Sequence, residues 1–168
     1  IQKDTSVAIP EGTQHILRNP GLHLNEEQQE AVDVLLKGDG NYNASLVDGI
    51  TGSGKTEVYL SFIEQQLNND RQVLVLVPEI GLTPQLIHRF EHRFTVRIQT
   101  LHSGLNNTQR MKIWQQAGRG EVRILIGTRS AVFTPMPDLG AIIIDEEHDM
   151  SFKQQDGIRY SAKDIALV

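Results

Sequence analysis

An α/β fold, a parallel sheet with helices on both faces, is what this sequence predicts, on three observations. Val73-Leu74-Val75-Leu76-Val77, Val122-Arg123-Ile124-Leu125-Ile126 and Ala141-Ile142-Ile143-Ile144 are short, almost continuously apolar runs, the composition of strands buried on both sides. Stretches with helical spacing of apolar residues separate such runs, as helical crossovers between parallel strands require. Residues 49–56 read Gly49-Ile50-Thr51-Gly52-Ser53-Gly54-Lys55-Thr56, a complete G-x-x-x-x-G-K-[ST] phosphate loop.

The elements follow in order. Residues 1–22, with Pro10, Gly12, Pro20 and Gly21 and little periodicity, read as a linker or entering arm, and residues 23–168 as one domain. Asn25 caps a helix that Gly38-Asp39-Gly40 ends. Ala44-Ser45-Leu46-Val47 is expected to be the strand entering the phosphate loop, and a helix leaves it from Lys55. The strand at 73–77 stops at Pro78, and Thr83 caps the next helix with Pro84 in its first position. A strand over 96–101, a helix over about 107–117 with Trp114 in the core, and the strands at 122–126 and 141–144 complete the pattern. There is no internal repeat and no low-complexity tract.

Composition narrows the class. The 168 residues suffice for a single buried core, and 39% hydrophobic with 22% charged residues suits a globular protein. No apolar run has the eighteen or so residues of a membrane span, which implies no membrane partner. The absence of cysteine excludes disulfides and thiolate metal sites, in keeping with a cytoplasmic setting. A net charge of −5 argues against gripping nucleic acid by bulk electrostatics, so any such contact is local.

Each position of the phosphate loop has a physical reason. Glycines 49, 52 and 54 are expected to turn the backbone through positive φ and let it approach phosphate oxygens closely. Backbone N–H groups then face the anion at the positive end of the following helix. Lys55 supplies a cation for the β- and γ-phosphates, and Thr56 a hydroxyl for Mg²⁺. The second motif is Asp145-Glu146-Glu147-His148, directly after an apolar strand. Acids there can simply end a strand in water. Beside a phosphate loop, Asp145 is the metal-side acid, Glu146 polarises the attacking water, and His148 reports hydrolysis to its neighbours. The implied cofactors are ATP and Mg²⁺. His88 and His92, at i and i+4, have the spacing of a zinc pair, but no third ligand is evident, and a solvated helix face with no zinc is the expectation.

Ligands of open parallel sheets bind beyond the carboxyl ends of the strands, so the loops at Thr83 and at Thr128-Arg129 belong to the face that carries the phosphate loop. The blocks Gly49 to Tyr59, Val77-Pro78-Glu79-Ile80-Gly81-Leu82-Thr83, Gly127-Thr128-Arg129-Ser130-Ala131 and Asp145-Glu146-Glu147-His148-Asp149 together resemble motifs I, Ia, Ib and II of superfamily 2 helicases. Their wording is most similar to that of the bacterial primosomal replication-restart DNA helicases, and residues 151–160 resemble that family's aromatic-rich loop.

The resemblance implies a P-loop NTPase of RecA-like fold and the ATP-binding lobe of a 3′-to-5′ DNA helicase that acts at stalled forks and in primosome assembly. Its implied partners are single-stranded and forked DNA, a second helicase lobe, primosome proteins and single-stranded-DNA-binding protein. Thr83, Thr128 and Arg129 would track the DNA backbone. Phe152, Lys153, Arg159 and Tyr160 would sense single-stranded DNA, with base stacking worth about 1–3 kcal/mol per base. Gln28 matches the glutamine that reads adenine in related helicases, and it equally completes a capping box with Asn25. Lys163 stands where an arginine is expected.

The sequence ends before anything like motif III, so the lobe is expected to be C-terminally incomplete, with a gap or a substitute between the phosphate-loop strand and the motif II strand. Such a chain is expected to bind nucleotide weakly and not to unwind DNA alone. A double-stranded-DNA translocase shares the same motor, a P-loop kinase shares only residues 49–56, and a nucleotide-sensing module would respond to no DNA.

Overall fold

The computed structural model describes residues 16–38, 42–50, 52–154 and 157–168. Thr51 of the phosphate loop, Asp39 and Gly40 at the expected helix end, and the first fifteen residues of the arm lie outside the described residues.

Local chemistry sets the helix starts. In α1 (Glu26–Lys37) the Asn25 side chain accepts from the Gln28 N–H while the Gln28 side chain accepts from the Asn25 N–H, a complete capping box. Acids in the first turn and Lys37 in the last suit the helix dipole. The helix that leaves the phosphate loop is α2 (Lys55–Asn68). Thr83 accepts from the Leu86 N–H at 3.2 Å, with Pro84 opening α3 (Pro84–Arg93). Asn106 and Gln109 form a second capping box ahead of α4 (Asn107–Gly118), and Ser161 caps the short α5 (Ala162–Ala166).

Four strands form one parallel sheet: β1 (Gln72–Leu76), β2 (Ile98–Leu101), β3 (Ile124–Gly127) and β4 (Leu139–Ile144), in the order β2-β3-β1-β4. β1 is central, and alternation of its side chains feeds two cores. Val73, Val75 and Val77 meet Tyr59, Leu60, Ile63 and Leu67 of α2 and Phe90 of α3 on one face. Leu74 and Leu76 meet Ile113 and Ala117 of α4, together with Phe152 and Ala162, on the other. The sheet is thus covered on both sides, as the sequence predicts. A two-stranded antiparallel hairpin, β5 (Lys153–Gln154) and β6 (Tyr160–Ser161), follows the sheet and has no counterpart in the sequence-based expectation. No helix among the described residues is long and apolar enough to cross a membrane.

Two expectations need correction. Residues 44–47 form no strand; they run outside the sheet, and Leu46 is 77% exposed. A strand needs a hydrogen-bonded neighbour. Among the described residues no strand pairs with residues 44–47, and the outer edge of β4 stays unpaired. The expected gap therefore takes the form of an open edge at β4. Trp114 is half exposed, because the buried stripe of α4 is Ile113 and Ala117, and Trp114 and Met111 fall off it. The described end of the arm is docked: Leu17 bridges Phe94, the Arg18 N–H donates to the Arg93 carbonyl at 2.9 Å, and the Thr95 N–H donates to Ile16 at 2.8 Å.

One buried polar side chain joins sheet, helix and loop. Gln72 is fully buried; its Nε2 donates to the carbonyls of Ala117 (3.1 Å) and Val122 (2.7 Å), and its Oε1 accepts from the Asp138 N–H (3.1 Å). Gln72→Leu would strand the Val122 carbonyl and the Asp138 N–H, while the Ala117 carbonyl keeps its bond from the Gly120 N–H, and a loss of about 2–4 kcal/mol is expected in urea unfolding. A loss below about 0.5 kcal/mol would show that the bonds contribute nothing net.

Candidate functional site

Among the described helices of eight residues or more, α1, α3 and α4 each begin with a side-chain cap, and α2 does not. Its N-cap is Gly54, held in the left-handed region at φ 84°, and Gly52 shares that conformation at φ 82°. The first turn of α2 thus presents its N–H groups beside a loop with no side-chain oxygen on its cap residue, an arrangement suited to an anion. The third loop glycine differs from expectation. Gly49 has no positive φ; a Cβ there would stand 2.8 Å from the Ser53 hydroxyl, so close packing, and not handedness, is what it answers.

Gln28 resolves into a structural link. Besides its capping-box bond, its Nε2 donates to the Ser53 carbonyl at 2.9 Å and ties the start of α1 to the phosphate loop. Both ends of the amide are used, so contact with a base requires exchange of these bonds. Lys55 Nζ donates to the carbonyls of Gly49 and Ile50, which places the ammonium within the curl of the loop.

The carboxyl end of β4 brings the acidic motif to this loop. The Asp145 N–H donates to the Leu76 carbonyl at 2.9 Å, so Asp145 continues the ladder with β1. Its Oδ1 accepts from the Glu146 N–H at 3.0 Å, and its Oδ2 accepts from the Tyr59 hydroxyl at 3.4 Å. Burial first, and then the Glu146 charge, push the Asp145 carboxyl above the usual range; the Glu146 N–H, Tyr59 and the Lys55 charge oppose this. Tyr59 is itself pushed upward by burial and by Asp145, and the nearby Thr56 side chain opposes that shift. Glu146 adopts φ 50° and is exposed, and His148 Nε2 lies 3.5 Å from its Oε2.

Thr56 and Asp145 thus both stand near the Tyr59 hydroxyl. A hydroxyl and a carboxylate are hard oxygen donors, and two of them fit Mg²⁺, which keeps several waters and takes further ligands from phosphate. Among the described residues no group of three or more His, Cys, Asp or Glu side chains is placed to hold a metal, and His88 and His92 stand as a tilted ring pair 6.0 Å apart.

The residues assigned to DNA divide. Phe152 is 0% exposed and packs in the core, so its ring is not offered to a base, contrary to expectation; burial of an apolar aromatic outweighs its display at the surface. Thr128 is 5% exposed, which corrects its assignment as a side-chain contact, and Thr83 uses its hydroxyl as the α3 cap. Arg129 donates to the carbonyls of Ser151 (3.1 Å) and Lys153 (2.9 Å), so it holds the entry to the hairpin. Lys153 and Arg159 are exposed, and Tyr160 meets Phe133 edge-on at 4.9 Å. A cavity of about 280 Å³ lies between these loops, lined by Ser103, Arg110, Arg129, Ser130 and Tyr160 among others. Arg110 reaches toward the Ser130 hydroxyl at 3.4 Å, and sequence reasoning gave it no role. It also missed Tyr59, although one helical turn after Thr56 places both on one face. Lys163 pairs with Glu147 at 2.9 Å.

A family model described as DEAD/DEAH box helicase matches residues 25–167. Replication restart protein PriA of Haemophilus influenzae is 57% identical over 147 residues, 88% of this chain and 20% of the relative. The protein of the same name from Bacillus subtilis is 44% identical over 148 residues (87% of this chain, 18% of the relative). That of Synechocystis is 50% identical over 144 residues (85% and 17%). The chain spans about a fifth of the length of the curated relatives it matches.

Two substitutions check the geometry. Gly54→Ala puts a Cβ 2.3 Å from Gln28 Nε2 at a positive φ, and the left-handed backbone alone costs about 1–2 kcal/mol. A lowered urea midpoint is expected, and an unchanged one would contradict the Gly54 conformation. Lys163 holds the exposed Glu147 carboxyl below its usual range. In Lys163→Met, Glu147 should titrate at a higher pH by NMR. A depressed native pKa gives stability that is present above the unfolded-state pKa and fades as pH falls through the native one. At this exposed pair that stability is small, and little change in Tm is expected.

Proposed function

The chain belongs to the DEAD/DEAH box helicase family, and on that footing we propose that it is the ATP-binding lobe of a replication-restart DNA helicase. The observation that carries the reading is the meeting of Lys55, Thr56 and Asp145 where the uncapped start of α2 faces the end of β4. In this reading the loop backbone of residues 49–56 and Lys55 hold the phosphates of ATP. Thr56 and Asp145 hold Mg²⁺, which neutralises charge on the transferring phosphoryl group. Glu146 orients and polarises the attacking water, and His148, beside Glu146, passes the state of the site to neighbouring elements. Gln28 either keeps its bonds to Asn25 and Ser53 or exchanges them for adenine.

The DNA-facing surface is the hairpin with Lys153, Arg159 and Tyr160 and the loop that leads from β1 to Thr83, the cap of α3, while Arg129 fastens the hairpin to the loop after β3. Residues 23–168 act as the first of two RecA-like lobes, and the second supplies an arginine worth 10³–10⁵ in rate. The complete protein unwinds DNA 3′ to 5′ at stalled forks and works with primosome proteins, a reading supported by the name its relatives bear. This chain alone binds nucleotide weakly and does not unwind DNA.

The test is made on the full-length protein. Glu146→Gln should retain ATP binding while DNA-stimulated hydrolysis falls by about 10²–10⁴ and fork unwinding stops. Hydrolysis at the parental rate would remove Glu146 from its role, and translocation on duplex DNA without strand separation would replace the helicase by a translocase.

A further inference from the structure

We propose that Tyr59 is a positioning residue for the magnesium ion, holding the Asp145 carboxylate in the orientation the ion requires. The inference rests on the nucleotide-site reading above and deepens it.

The ring of Tyr59 needs no hydroxyl to pack. It lies in the core cluster formed by α2, α3 and β1, stacked on Phe90 with centroids 6.3 Å apart and planes 25° apart. Phe90 and Phe94, the other aromatics of that cluster, have purely apolar rings. A phenol oxygen taken out of water in such surroundings is costly unless bonded, so its partner deserves an account. The partner the hydroxyl finds is Asp145, at 3.4 Å.

The direction of the bond follows from the chemistry of the groups. An ionised carboxylate only accepts, so the Tyr59 O–H donates to Asp145 Oδ2. Asp145 is held at both oxygens, by Tyr59 at Oδ2 and by the Glu146 N–H at Oδ1. Groups that orient metal ligands in this way change metal affinity by about 10–100-fold when removed.

The sequence supplies the spacing. Tyr59 follows Thr56 by three positions on α2, so both project from one face of the helix, and the ladder of β4 on β1 brings Asp145 up to that face. The packed ring gives the hydroxyl little freedom, and it therefore acts as a fixed point between two elements that are distant in sequence.

The test compares the full-length protein with its Tyr59→Phe variant, titrated with ADP at a series of Mg²⁺ concentrations and in excess chelator. Tyr59→Phe keeps the ring and should keep the circular dichroism spectrum. Expected is equal ADP affinity in chelator for both proteins, with the Mg²⁺ concentration for half-maximal gain in affinity raised about tenfold in the variant. Identical Mg²⁺ dependence would overturn the inference while leaving the nucleotide site intact. Equal loss of affinity with and without Mg²⁺ would also overturn it, since that marks a general disturbance of the loop. Absence of nucleotide binding in the unmodified protein would overturn the site reading itself and the inference with it.

Discussion

The parallel ladder of β1 fixes where every functional loop begins. Its five residues are buried on both faces and bonded to β3 on one side and β4 on the other. Parallel strands end on one side of the sheet, and here the ladder continues past each strand end. The Asp145 N–H bonds to Leu76, the Val77 N–H to Gly127 and the Thr128 N–H to Leu101, at 2.9, 2.9 and 3.1 Å. The starts of the loops after β1, β3 and β4 are thereby registered to one another by backbone bonds alone. A shift of one residue in β4 would break the Asp145 bond to Leu76 and exchange Ala141 and Ile143, which pack on one core, with Ile142 and Ile144, which pack on the other.

Electrostatics explains why this register matters. Asp145 is partly buried beside Glu146, so its ionised form depends on Lys55, the Glu146 N–H and Tyr59. Each comes from a different origin: the phosphate loop, the turn after β4 and the interior of α2. No single segment makes an acid suited to a cation. The sheet brings the contributions together, and the packing of Tyr59 on Phe90 makes one of them rigid.

Much of this was legible from sequence for identifiable reasons. Runs such as residues 73–77 are apolar without interruption, and only burial on both faces explains that. Caps at Asn25 and Thr83 are local, so the chain announces them within four residues. What was misread depends on distant partners. Residues 44–47 have strand composition, but a strand exists only with a neighbour, and none of the described strands pairs with them. Phe152 resembles a base-stacking aromatic in a surface loop; its burial depends on α4 and Ala162, which sequence spacing does not place. Arg129 has the charge of a phosphate contact, yet the two carbonyls it satisfies belong to residues 22 and 24 positions away. Tyr59 was visible in the loop motif, but its role appears only when Asp145, 86 positions on, stands opposite.

The central claim is that the phosphate loop and the acidic turn after β4 form one nucleotide site held by the ladder. Hydrogen exchange on the protein with and without Mg-ADP reads this most directly. The account predicts that nucleotide slows exchange together in residues 52–58 and 145–149, and in neither segment of Lys55→Ala. Slowing confined to residues 52–58, with residues 145–149 unmoved, would contradict a shared site.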